Sequence, residues 1–220
     1  GQEVQPETYA ICKADMLLKG DGKQAEHISY GSTLSMDGNA TRQFDFMLSN
    51  PPYGKTWKVD AEKMGGKKDI LDSRFNAYLE DGTQLAMIPR VSDGQLLFLL
   101  NNAAKMKTDT PLGSRIAEVH NGSSLFTGDA GSGESNARRY LIESDLVEAV
   151  IALPEKMFYN TGIGTYIWVL SNKKEERRKG KIQLIDATAM KSPLRKNMGE
   201  KNCELTSELR DEIMRIFMEM

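Results

Sequence analysis

Phe44-Asp45-Phe46-Met47-Leu48-Ser49-Asn50-Pro51-Pro52-Tyr53 is the stretch whose reading decides the fold. Its first half is a compact apolar run with one acid, the composition of a strand buried in a parallel sheet. Its second half stops that strand abruptly. Proline fixes its own φ and drives the residue before it out of the helical region, so Asn50 and Pro51 are both held extended and the turn is stiff. Ligands of open α/β sheets sit outside the carboxyl ends of the strands, which makes residues 50–53 the place to expect a site.

Outward from this turn, helical and strand-like segments alternate. Pro6 opens a helix that carries Ala10, Ile11, Ala14, Leu17 and Leu18 on one face and ends at Gly20. A short strand is expected within 27–34, and residues 55–90 read as loop with short helix. A helix follows over 95–107, a strand over 115–119, an exposed Gly-containing loop over 123–135 and a helix over 136–143. Strands are expected at 147–153, ended by Pro154, at 165–170 and at 182–185. Leu209, Ile213, Ile216 and Phe217 then fall at helical spacing after Thr206, a residue suited to capping. This order predicts an α/β fold whose open sheet is mostly parallel with a late antiparallel strand pair.

The 220 residues are 40% hydrophobic and 27% charged, the balance of a globular protein, and no apolar run is long enough to span a membrane. A formal net charge of −2 excludes the overall basic excess of a free-standing nucleic-acid binder, so any grip on DNA is local or supplied by partners. Cys12 and Cys203 lack paired spacing, which argues for a reducing, cytoplasmic setting. Together with His27 and His120 they show no metal-ligand spacing, and no metal is expected.

The turn's residue types suit one kind of chemistry. A stiff extended corner presents the Asn50 side-chain oxygen and the Pro51 carbonyl as two fixed acceptors beside the flat ring of Tyr53. An aromatic amine fits that arrangement. Its lone pair is delocalised into the ring, and two acceptors taking its two hydrogens favour a more tetrahedral nitrogen with a freer pair. Tyr53 would stack on a base that has left the duplex.

The word Asn50-Pro51-Pro52-Tyr53 resembles the [DNS]-P-P-[YFW] motif of adenine-specific DNA methyltransferases. Longer strings extend the likeness over nearly the whole chain: Ser92-Asp93-Gly94-Gln95, Val119-His120-Asn121-Gly122-Ser123-Ser124-Leu125-Phe126, Gly131-Ser132-Gly133-Glu134-Ser135, and the run from Phe158 through Asn160-Thr161-Gly162-Ile163-Gly164 to Leu170. These are similar to the modification subunit of type I restriction-modification systems. The resemblance implies a Rossmann-like S-adenosylmethionine-dependent methyltransferase sheet, with residues 1–200 as the C-terminal part of the catalytic domain and 201–220 as the start of a helical segment. It implies Asn50, Pro51, Pro52 and Tyr53 as catalytic residues and Glu3, in Gly-Gln-Glu, as the acid on the cofactor ribose. Asn50 would touch the cofactor as well, as would Ser32, which stands where the family usually has Asp. Phe158 would supply a second face for the flipped base.

The family's Gly-rich cofactor loop lies upstream of the ribose acid and has no match here, so the sheet is expected to be truncated at its N-terminal side. This fragment alone is expected to be inactive. Lys55, Trp57 and Lys58 follow the catalytic turn and are candidates for DNA contact, whereas the charged run 173–181 interleaves acids with bases and reads as a solvated hairpin loop. The implied partners are double-stranded DNA, a specificity subunit and a nuclease/translocase restriction subunit. Two other readings stay open: a non-catalytic methyltransferase-fold scaffold for the specificity subunit, and methylation of a protein glutamine or of RNA.

Overall fold

Five strands form the central sheet of the computed structural model, which describes residues 1–20 and 22–220. In chain order the strands are β1 (Gln2–Glu3), β2 (Ser29–Tyr30), β3 (Phe46–Ser49), β4 (Asn76–Tyr78), β5 (Gln84–Ala86), β6 (Arg115–Asn121), β7 (Val147–Ala152), β8 (Thr165–Ser171), β9 (Gln183–Asp186), β10 (Ser192–Met198) and β11 (Lys201–Glu204). The central sheet has the order β3-β6-β8-β7-β9. The pairs β3–β6 and β7–β9 are parallel, while β8 runs antiparallel to both of its neighbours. All strands except β8 therefore share one direction, as the sequence predicts for a mainly parallel sheet with a late antiparallel element. β1 and β2 form a separate parallel pair.

The helices are α1 (Pro6–Leu18), α2 (Gly22–Ala25), α3 (Lys58–Lys63), α4 (Gln95–Ala103), α5 (Ser123–Phe126), α6 (Gly133–Glu143) and α7 (Ser207–Met218). On one face of the sheet, Leu96, Leu97, Leu99 and Leu100 of α4 and Ala137 and Leu141 of α6 pack with Ile116, Trp168, Leu170 and Val147. Ile213 and Phe217 of α7 join Ala149, Ile151, Val169 and Ile185 in a second cluster. The Thr206 side chain accepts from the Leu209 amide, so the expected cap of α7 forms.

Several expectations need correction. β3 is an edge strand rather than a buried one: Phe46 and Leu48 are 71% and 87% exposed, and only Met47 packs on the core. The apolar stripe of α1 buries no residue. Helix α4 ends at Ala103, not 107, because the chain turns out to meet Phe44, whose amide donates to the Lys105 carbonyl while Met106 bridges it. Helix α6 starts earlier than expected, at Gly133, where Ser132 caps it by accepting from the Ser135 amide. The β4–β5 hairpin occupies part of the segment read as loop, and α5 part of the expected 123–135 loop. After the β10–β11 hairpin the chain continues into α7, which packs on the central sheet.

The segment that follows β2 is tied to the rest chiefly through Arg74. Arg74 donates to the Thr33 and Leu34 carbonyls (2.9 and 2.8 Å), to Asp37 (3.2 Å), to Asn101 of α4 (2.9 Å) and to Asp72 (2.6 Å). Lys105 adds an ion pair to Asp37 at 2.7 Å. Asp37, Lys105 and Arg74 are 6%, 7% and 14% exposed at their side chains, so these charges are desolvated and depend on one another.

Breaking a buried charge pair from one side is strongly destabilising, because the partner is left uncompensated. Arg74→Met is therefore expected to lower the unfolding free energy by about 3 kcal/mol in urea titration. Burial alone would push the Asp72 carboxyl up, but the Arg74 hydrogen bonds, with the charges of Arg74 and Lys105, outweigh it and hold its pKa below the ordinary 3.8. A carboxylate depressed on folding stabilises fully above its unfolded pKa and loses that contribution as pH falls through the folded one. Between about pH 5 and pH 3 the wild type should thus lose more stability than Arg74→Met, measured by parallel urea titrations.

Candidate active site

β1, β2, β3 and β6 send their carboxyl ends to one rim, and an open cleft of about 1020 Å³ lies there. Glu3 comes from the end of β1, Ser32 from just past β2, Asn50 to Tyr53 from the end of β3, and Asn121 from the last residue of β6. The loop between β7 and β8 adds Asn160, Thr161 and Ile163. A cleft of this size, at the carboxyl ends of strands, has room for a nucleoside-sized ligand and a base together.

Residues 50–53 line this cleft. Pro51 is buried and anchors the proline-locked corner, while Asn50 is exposed toward the cleft. Among the described residues the one hydrogen bond that reaches residues 50–54 is from the Gly54 amide to Asp93 Oδ1, at 3.4 Å. The Asn50 amide is thus free to meet a ligand. Tyr53 is half-buried, and desolvation pushes its phenol above its ordinary value, so the ring stays neutral at physiological pH.

Behind the corner lies a polar network that sequence reasoning did not find. Asp93 Oδ2 accepts from Gln95 Nε2 (2.7 Å) and from the Ser123 hydroxyl (2.5 Å), and Asp93 Oδ1 accepts from the Gln95 amide (3.2 Å). Gln95 Nε2 also reaches Asn121 Oδ1 (2.7 Å), and Gln95 Oε1 accepts from the Asn121 amide (3.1 Å). The network joins the turn after β3, the start of α4 and the end of β6. Its signals in the sequence are the strings Ser92-Asp93-Gly94-Gln95 and Val119–Phe126, and the Gly of the first is explained by contact: a Cβ at Gly94 would stand 2.9 Å from Trp57 Cδ1.

The candidate cofactor residues face the same cleft. One Glu3 oxygen accepts from the Gln5 amide at 2.7 Å, which fixes the carboxylate and leaves its other oxygen available. Ser32 is buried, and its hydroxyl accepts from the Leu34 amide at 3.2 Å. The DNA candidates separate. Lys55 is exposed and lines the cleft; Lys58 is exposed but lies off the lining, 3.8 Å from Glu62. Trp57 is 4% exposed, packs in the main core and donates its indole N–H to the Arg90 carbonyl at 3.0 Å, while still contributing to the cleft lining. Phe158 is half-buried, bridged to Thr161, and stands outside the lining, where Asn160, Thr161 and Ile163 are found instead.

Removing Asp93 leaves Gln95 and Ser123 without their shared acceptor, at a cost of about 1 to 3 kcal/mol. Asp93→Ala is expected to lose that much stability in thermal unfolding and to speed amide exchange at Gly54.

Comparison with known proteins agrees with this layout. The sequence profile of the N-6 DNA Methylase family matches residues 1–220. Among curated relatives, the type I restriction enzyme MjaVII methylase subunit of Methanocaldococcus jannaschii is 29% identical over 191 residues, covering 86% of this chain and 30% of the relative. The MpnII methylase subunit of Mycoplasma pneumoniae is 30% identical over 198 residues, covering 86% of this chain and 32% of the relative. This chain thus spans about a third of the length of these relatives. The solved methyltransferase subunit of a type I system from Streptococcus thermophilus superposes with a TM-score of 0.75 at 24% identity, over 99% of this chain and 41% of that one. The EcoKI M protein gives 0.65 at 21% identity, over 98% and 40%. With its profile matched from end to end, its sheet shared with those subunits and its Asn-Pro-Pro-Tyr corner open to the cleft, the chain belongs to the N-6 DNA methylase family.

Proposed function

We propose that this chain forms the catalytic part of the modification subunit of a type I restriction-modification system, which methylates the exocyclic amine of adenine in DNA. The observation that carries the reading is the Asn50 side chain, exposed at the rim of the cleft with no protein partner among the described residues, beside the half-buried Tyr53 ring.

Each residue has a defined task. The duplex yields an adenine, and Tyr53 stacks on it, offsetting part of the few kcal/mol that extrusion costs. Asn50 Oδ1 and the Pro51 carbonyl accept the two amine hydrogens, which orients the nitrogen lone pair toward the cofactor side of the cleft. The locked turn holds these acceptors in place before the reaction, so no reorganisation is needed as charge develops on the amine. Asn160, Thr161 and Ile163 enclose the same cleft and exclude water from the base.

S-adenosylmethionine, when bound, supplies an electrophilic methyl group on a sulfonium centre. The donor set fits the nucleoside end of that cofactor. Glu3 presents one free carboxylate oxygen to a ribose hydroxyl, and Ser32 lies just past the end of β2 on the same wall. The chain's own residues do not provide a Gly-rich loop for the methionine end, so we place that contribution in the larger subunit, as the length of the relatives allows. No helix of the described residues is long and apolar enough to cross a membrane. We assign the subunit to the cytoplasm, working with DNA, a specificity subunit and a restriction subunit.

Asn50→Ala in the full-length subunit, assembled with its specificity subunit, is expected to cut methyl transfer to adenine-containing duplex by about two to three orders of magnitude. Assembly and melting temperature should stay unchanged, since the side chain is exposed and makes no hydrogen bond among the described residues. Methylation that persists at the wild-type rate overturns the assignment and leaves the scaffold reading.

A further inference from the structure

The β10–β11 hairpin is the largest element of the fold with no forecast in the sequence, and its charge is unlike that of any other segment. Residues 191–201 read Lys-Ser-Pro-Leu-Arg-Lys-Asn-Met-Gly-Glu-Lys, with four bases and a single acid, in a chain whose net charge is −2. Arg195 and Lys196 are exposed, and none of Lys191, Arg195, Lys196 and Lys201 has an ion-pair partner among the described residues.

The contrast with the basic run at 173–181 is direct. There Lys174 pairs with Asp145, Arg177 with Glu175, Arg178 with Glu148 and Lys179 with Glu176. That segment's charge is largely neutralised within the fold, whereas the hairpin's points to solvent.

The hairpin is also placed with care. Its tip docks on the loop between β7 and β8: the Glu200 amide donates to the Tyr159 carbonyl and the Asn202 amide to the Lys156 carbonyl, both at 3.0 Å. Lys201 Nζ lies 5.1 Å from the centre of the Tyr159 ring. Gly199 makes the tip fit, since its φ is +64° and a Cβ there would come within 2.4 Å of the Tyr159 carbonyl oxygen. The buried Cys203 closes the base, its Sγ 3.2 Å from the Glu155 carbonyl. The loop clamped in this way is the one that brings Asn160, Thr161 and Ile163 to the cleft. The hairpin that carries the unpaired cations is therefore docked, through its tip, on the loop that borders the cleft.

We propose that the β10–β11 hairpin is a phosphate-gripping arm, with Arg195, Lys196 and Lys201, joined by Lys156 beneath the tip, holding the DNA backbone beside the cleft. The inference rests on the reading of the cleft as a site for an extruded adenine. Holding the flanking phosphates fixes the register of the duplex against the cleft from which a base is extruded, and cations held in position by a docked hairpin serve that purpose without reading sequence. Such an arm also explains how a chain with no basic excess engages a polyanion: the charge is concentrated where the strand must pass.

The test uses the full-length subunit assembled with its specificity subunit, and short duplexes carrying the methylation site. Binding is measured across a range of salt for the wild type, for Arg195→Gln/Lys196→Gln and for Arg177→Gln/Lys179→Gln. Taking one cation away from a phosphate lowers the slope of log affinity against log salt by about 1, so the slope of the hairpin variant should be smaller by about 2 and its binding at least about tenfold weaker near 0.1 M salt. The 177/179 variant should match the wild type. Methylation by the hairpin variant at saturating DNA should keep its turnover, with the defect confined to KM for DNA. A wild-type slope in the hairpin variant overturns the inference, and so does weakened assembly with an unchanged slope, which would give the arm to a protein partner. If charge removal unfolds the double variant, Lys201→Gln carries the same comparison with a slope smaller by about 1. Failure of the underlying reading is separate: it would show as no adenine methylation by the wild type, whatever the salt slopes.

Discussion

Arg74 holds the two walls of the cleft at a fixed separation. Among the described residues, β1 and β2 form no ladder with the central sheet, so no backbone pairing sets the distance between Glu3 and Asn50. Side chains set it instead. The guanidinium takes the Thr33 and Leu34 carbonyls on one side and Asn101 of the central helix on the other, and the Ser35 hydroxyl adds a 2.6 Å hydrogen bond to Asp60 of α3. A planar group with five donors in a fixed fork is suited to such a junction, and a lysine could not replace it. The methyl transfer proposed above would need donor and acceptor atoms placed within a fraction of an ångström, so the accuracy of this joint would bound it.

A second constraint lies behind the proline-locked corner. Its prolines remove backbone donors, so the turn cannot be secured by ordinary backbone hydrogen bonds. Burial of Pro51 and the Asp93 network secure it from beneath, and leave the outward oxygens free. Rigidity and availability are usually opposed in a polar site. Here they come from different faces of the same four residues.

How much of this could be read in the sequence follows from how local each cause is. The corner at 50–53 was legible because proline dictates its own backbone and that of its neighbour. The α4 core stripe and the strands β6, β7 and β8 were legible because their apolar runs are dense. Trp57 misleads because its neighbours Lys55, Thr56 and Lys58 are polar; its burial depends on Gly94, far away in sequence, which leaves room for the ring. The exposed stripes of α1 and β3 carry the pattern of buried elements without the covering partners among the described residues. β10 gave no strand signal, because Pro193, Arg195, Lys196 and Asn197 break any alternation of apolar and polar, and it exists through its partner strand and the loop it clamps. Of the candidate site, Asn50 to Tyr53, Glu3 and Ser32 fall together on the cleft, while Asn121 and the Asp93–Gln95 pair had only string likeness to mark them.

The reversed strand has a consequence for how the protein is made. β8 sits between β6 and β7, yet it emerges after both, so the growing chain holds β6 and β7 for some time with the slot between them empty. Two apolar strands of the same orientation that collapse directly onto each other would close that slot before Thr165 to Ser171 arrives. The sheet's centre is completed by a late arrival with non-local pairing on both sides, the kind of step that makes folding slow and exposes intermediates to aggregation. Vulnerability during synthesis thus concentrates in the interval between the emergence of β7 and that of β8, the same interval that encodes the loop bringing Asn160, Thr161 and Ile163 to the cleft.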